Sequence, residues 1–168
     1  MAIIPDTKDW TWVLDEPCDE CGFDAAAVDP ARAGEEVLAM VPRWRGALAR
    51  PDARDRPNEA TWSVLEYACH VRDVLVLFAE RLRMIREQDG PEFANWDQDA
   101  AAGDYAEQDP AVVAAELGPA ADVFGAEIAV VQDWDRPGYR SNGSAFTNDT
   151  LTRYAMHDLV HHLHDVRA

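Results

Sequence analysis

Positive charge is scarce in this chain. Lysine and arginine number 15 against 32 aspartates and glutamates, a formal net charge of −17 over 168 residues. Phosphate backbones require a concentrated basic face, so a nucleic-acid partner is excluded, and an anionic membrane surface with it. Long hydrophobic runs are also missing, since nothing approaches the roughly 18 apolar residues of a membrane span. Between Met1 and Trp10 no basic segment precedes an apolar one, so no secretory signal is expected and the cytoplasm is the expected compartment. Cysteine is sparse at three, an odd number that does not build a disulfide framework. Cys18 and Cys21 make a lone CxxC with no second pair and no nearby histidine. They read as buried thiols near the start of the chain rather than as a zinc knuckle. Strand-like alternation of any length and internal repeats are absent.

Apolar residues make up 48% of the chain and include six Trp, enough for a single packed core. Residues 1–28 lack a sustained period and are expected to form an extended arm over the rest, with a short turn around Trp10–Leu14. Residues 29–168 show four helical periods. Asp29 and Pro30 start the first, in which Val37, Leu38, Val41, Trp44, Ala47 and Leu48 repeat at three and four, with Pro42 expected to kink it. The second runs from near Thr61, capped by Asn58 or Thr61, to about Gln88, stopped by Asp89, Gly90 and Pro91. A long loop with Trp96, Asp97 and Tyr105 follows, whose aromatics favour a packed cover. Asp109 and Pro110 open the third helix, which Pro119 is expected to bend; Thr147 or Asn148 caps the fourth. The fold class is therefore all-α, a four-helix bundle.

Four of the five histidines fall between His157 and His164, and the fifth, His70, stands alone in the second helix. Imidazole offers a nitrogen lone pair to a divalent metal near neutral pH. With 100° per residue and His157 at zero, His161 falls near 40°, His164 near 340° and His162 near 140°. Either His157 and His161 or His161 and His164 can share one ion, and the i, i+4 pair converges more readily. His162 is expected to point away from that stripe. His70 is the histidine left to supply a third ligand from a neighbouring helix. The segment from His157 to His161 also approaches an HExxH pattern, but Asp158 replaces the glutamate, which argues against a peptidase.

The second helix carries Trp62, Ser63, Glu66, His70 and Asp73 in order, followed by the Trp96–Tyr105 loop. Gly138, Ser141, Gly143 and Thr147 then precede the HxxxHH of His157, His161 and His162. This succession resembles the DinB-like superfamily, the damage-inducible-protein and maleylpyruvate-isomerase type of bundle, over roughly residues 30–168. The resemblance implies an up-down-down-up bundle with a divalent metal, zinc, nickel or similar, held by His70, His157 and His161. It implies a transferase or isomerase using a low-molecular-weight thiol as cosubstrate, and the Ala/Asp/Arg-rich composition favours mycothiol. The ion would stabilise the thiolate, which attacks a small electrophilic substrate. Glu66, Asp73, Asp158 and Tyr154 are candidates to orient the ligands; Arg140, Trp62 and Trp96 are candidates to contact substrate. Pairing of two copies through a helix face is expected, giving a homodimer. The competing reading is a non-catalytic bundle that stores or senses a metal or small ligand.

Overall fold

The computed structural model describes residues 9–168; the first eight residues of the expected arm lie outside the described residues. Four long helices dominate, and each start has a visible chemical cause. Asp29 accepts from the Ala31 amide across Pro30 and opens a 3-10 turn that runs into α1, Ala33–Leu48. The helix continues through Pro42 as one element. Helix α2, Val64–Glu87, has 24 residues and is about 36 Å long. Its cap is Ser63 rather than Asn58 or Thr61, which instead face each other in an isolated bridge. Ser63 Oγ takes the Glu66 amide while the Glu66 carboxylate takes the Ser63 amide, at 3.3 and 2.9 Å. That reciprocal pair satisfies two backbone donors at once, which neither alternative offers. Asp109 caps α4, Pro110–Ala129, and Thr147 caps α5, Asn148–Asp165, with Thr150 answering it.

Cross-contacts fix the helix directions. Arg45 near the end of α1 donates to the Ala114 carbonyl near the start of α4, so these two run antiparallel. Arg72 and Arg86 of α2 reach Glu116 and Glu127 of α4 in the same order, so these run parallel. The end of α2 meets the start of α5 through Arg136, which donates to the Ile85 and Gln88 carbonyls and whose own carbonyl accepts from the Asn148 amide. The ends of α1 and α5 meet where Arg50 donates to the Val166 carbonyl. The connectivity is therefore up-down-down-up, with α1 and α2 on a diagonal and α4 and α5 filling the other corners. Helices α1 and α4 approach closely at Gly34 and Gly125, where a Cβ on Gly34 would stand 2.8 Å from the Gly125 Cα.

The segment between α2 and α4 departs from a plain loop. It contains β1, Glu92–Phe93, and a single turn of helix, α3, Gln98–Ala101. Strand β1 pairs in parallel with β2, Pro137–Arg140, which pairs antiparallel with β3, Ala145–Thr147. Strands of two to four residues are too short to display a period of two, so this sheet leaves no alternating signature. It seats on α2 through Gly138, where any Cβ would lie 2.6 Å from Ile85. Tyr105 is buried beneath the loop and donates its hydroxyl to Asp73 Oδ2 at 2.7 Å.

Ahead of α1 the chain makes 3-10 turns at Thr11–Leu14 and Ala25–Ala27 and packs on α5. Val13, Cys18 and Phe23 are buried there, and Arg153 of α5 donates to the Ala25 and Val28 carbonyls. Among the described residues no helix is long and apolar enough to cross a membrane.

Candidate metal centre and its cavity

A cavity of about 950 Å³ lies between α2, α5, the N-terminal segment and the loop that carries Trp96. From α2 it is lined by Tyr67, His70, Val74, Leu77, Phe78 and Arg81, a helical stripe about 21 Å long. From α5 it is lined by Tyr154, His157, Asp158, His161, His162 and Asp165.

The histidines in this wall fall into two groups. In the first, the ligand atoms of His70, Asp158 and His162 all lie within 4.8 Å of one another. His70 is 1% exposed, and its Nε2 faces Asp158 Oδ2 at 3.3 Å. The alignment does not make a hydrogen bond, and neither His70 nitrogen has a hydrogen-bond partner among the described residues. Its ring stacks on Trp96 at 5.3 Å and meets His162 edge-on at 4.8 Å. His162 Nε2 lies 3.7 Å from Asp158 Oδ1, so one carboxylate stands between both imidazoles. Burial pushes the His70 pKa down, outweighing the facing Asp158, so the ring is neutral with its lone pair free. Burial alone would raise the Asp158 carboxyl, but the His162 and His70 imidazoles overcome it and hold the group well below the usual carboxylate range.

In the second group, His157 and His161 stand with Cys18 and Cys21, again with ligand atoms within 4.8 Å. Cys18 Sγ lies 3.6 Å from His161 Nδ1. Trp10 packs on both rings, and Phe23 meets His157. The other nitrogen of His161 faces Glu20 and Asp165 at 3.6 and 3.8 Å. Burial pushes the Cys21 thiol up to about 11, so it is no thiolate nucleophile at neutral pH.

The family model for the DinB superfamily matches residues 33–166. The chain belongs to the DinB superfamily. No curated protein sequence matches it. Among solved structures it is similar to YfiT from Bacillus subtilis, described as a probable metal-dependent hydrolase with an unusual four-helix bundle topology. That similarity has a TM-score of 0.68 at 19% identity, over 80% of this chain and 81% of YfiT.

Within this DinB-like frame, the three histidines expected to form a triad all line one cavity, but their ligand atoms are divided. His70 groups with Asp158 and His162, while His157 and His161 turn toward the N-terminal segment. His162 faces His70 rather than pointing away. A helical wheel fixes angles within α5 but not which neighbour each stripe meets, and the stripe of Asp158 and His162 is the one facing α2. The residues of this first group fit a divalent cation: two imidazoles and a carboxylate suit it chemically, and the buried, unpartnered His70 lacks what a cation would provide.

The other expected residues divide as well. Trp62, Trp96, Tyr154 and Arg140 line the cavity, Trp62 with its ring 5.3 Å from that of His70. Glu66 and Asp73 are not among its lining residues. Glu66 answers the Ser63 cap of α2 and binds Arg56, and Asp73 accepts from Arg72 and Tyr105. Arg81 is the functional candidate that sequence reasoning passes over. It is 4% exposed, three turns beyond His70 on the same face, and packs on Phe78 and Phe93. It donates to the Ala94 carbonyl, its Nε has no partner, and no carboxylate pairs with it among the described residues. Burial and then the nearby Arg140 lower its pKa to about 10, leaving it charged at neutral pH. The signal was an arginine within the apolar stripe of α2, in register with His70.

Proposed function

We propose that this chain is a metal-dependent enzyme acting on a small anionic substrate, with a low-molecular-weight thiol of the mycothiol type as cosubstrate. The observation that carries the reading is the polarity of the cavity: His70, Asp158 and His162 at one end, Arg81 and Arg140 at the other. His70 and His162 would hold a divalent ion as neutral donors, with Asp158 supplying negative charge. Bound there, the ion supplies a Lewis acid that favours thiolate over thiol. Trp62 and Trp96 pack on His70 and keep bulk water from its ring. Among the described residues Arg81 has no anionic partner of its own, and a substrate carboxylate would satisfy it; Arg140, stacked over Phe146 and Tyr154, flanks the same end. Both guanidiniums bind and orient, and neither exchanges a proton.

A second reading, hydrolysis, draws on the description of YfiT as a probable metal-dependent hydrolase. Thiols screened against carboxylate-bearing electrophiles, beside esters and amides in thiol-free buffer, separate the two. Thiol-dependent turnover that disappears in His70→Ala is expected. Turnover without thiol favours hydrolysis. No turnover above His70→Ala in either screen would leave a non-catalytic binding bundle. The ligand set is tested separately with the His157→Ala variant. The set expected from the resemblance, His70 with His157 and His161, requires loss of the active-site ion, whereas His70 with Asp158 and His162 requires its retention.

A further inference from the structure

We infer that Cys18, Cys21, His157 and His161 form a second, closed metal site, a structural zinc site that clamps the N-terminal segment onto α5. Four donors of the two types that zinc prefers converge from two elements. Cys18 and His161 are 143 residues apart in sequence. With Zn–S bonds of about 2.3 Å and Zn–N bonds of about 2.05 Å, a sulfur-to-nitrogen edge of the tetrahedron measures about 3.6 Å. The separation of Cys18 Sγ and His161 Nδ1 is 3.6 Å.

The local backbone is built for two sulfurs on one side. Gly22 follows the pair with φ +75, and its amide donates back to the Cys18 carbonyl at 2.8 Å. The Cys18 amide donates to the Phe23 carbonyl at 2.8 Å. The chain thus folds back on itself with both thiols aimed at α5. His161 is held from behind. Its Nε2 faces the Glu20 and Asp165 carboxylates, which favours the proton on that nitrogen and leaves Nδ1 as the donor. Trp10 and Phe23 close over the imidazoles, and four protein ligands leave no open position, which marks a structural rather than a catalytic ion. Binding replaces the two thiol protons, which pass to solvent, and no redox partner is needed. The site lies partly outside the stretch matched by the family model, because Cys18 and Cys21 precede residue 33. Through it the segment bearing Trp10 and Glu20 would be fixed as a wall of the cavity.

The test uses the full chain, purified with zinc and no chelator. In His70→Ala, which disables the other centre, zinc-edge absorption is expected to show two sulfurs at about 2.3 Å and two nitrogens at about 2.0 Å. Cobalt substitution should give a thiolate-to-metal charge-transfer band. The double variant Cys18→Ser, Cys21→Ser should lose that band and one equivalent of zinc. Chelation should lower the melting temperature of the parent but not of the double variant. Should His70→Ala fail to fold, the parent loaded with two equivalents of zinc should show on average one sulfur per zinc at about 2.3 Å. A coordination shell without sulfur would overturn the inference, as would a Cys18–Cys21 disulfide or unchanged zinc content in the double variant. The inference is independent of the catalytic reading, since activity can fail while the sulfur-bound zinc remains.

Discussion

Replacing Glu66 tests how α2 presents His70, because this carboxylate ties the first turn of the helix to the preceding connection. Glu66 is 2% exposed and accepts from Arg56, 30% exposed, and from the Ser63 amide. Glu66→Ala removes the carboxylate that Arg56 binds and half of the reciprocal cap. Loss of a cap costs about 1 kcal/mol. Removing one partner of a fully buried ion pair costs about 3–5 kcal/mol. Arg56 keeps access to water, so about 2 kcal/mol is the better figure for the pair, and about 3 kcal/mol for both effects together. At roughly 2–4 °C per kcal/mol, the melting temperature should fall by about 6–12 °C. Burial alone would raise the Glu66 pKa, but Arg56 and Ser63 outweigh it and hold the folded value below the ordinary 4.5. A depressed carboxyl contributes stability above its unfolded pKa and loses it as pH falls through the folded value. Glu66→Gln keeps the shape and loses the charge, so its deficit should be full at pH 7 and shrink below about pH 4.5. Urea unfolding followed by circular dichroism measures both. A deficit under about 0.5 kcal/mol at pH 7, with no pH dependence, would refute this account of the pair.

Arg81→Met should raise KM for a carboxylate-bearing substrate by about 10–100-fold, the worth of a charge-assisted hydrogen bond, with little change for an uncharged analogue. Steady-state kinetics on the two substrates decide it. Gly34→Ala should cost about 1–3 kcal/mol in denaturant unfolding, because the new methyl meets the Gly125 backbone and α1 must part from α4. Tyr105→Phe leaves Asp73 without a hydroxyl partner and should destabilise by about 1–2 kcal/mol, read from the same unfolding curves. Asp158→Asn removes the charge between His70 and His162 and should weaken binding of the active-site ion at least about 10-fold by competition with a chelating dye.

The helix starts at Asp29–Pro30 and Asp109–Pro110 are legible in the sequence because a side-chain acceptor followed by proline has one cheap conformation. The cavity's α2 wall is legible in part: His70 stands out as a lone histidine, and Trp62 and Trp96 as aromatics beside it. Ser63 is harder to see as the cap, since Asn58 and Thr61 are equally good acceptors, and only the answering Glu66 separates them. The small sheet is hidden by its brevity. The division of the histidines is hidden because periodicity describes α5 alone, whereas the partner of each stripe is set by how α5 lies between α2 and the N-terminal segment. The same limit conceals the meeting of CxxC with HxxxH, which depends on tertiary packing across almost the whole chain.

Anomalous diffraction at the metal edge, from crystals of the full chain loaded with one divalent ion at a time, tests the account most directly. The account predicts an ion in the cavity bound by His70, Asp158 and His162, at ligand distances near 2.0–2.2 Å. An ion coordinated by His70 together with His157 and His161, or no ion at His70 at saturating metal, would contradict it.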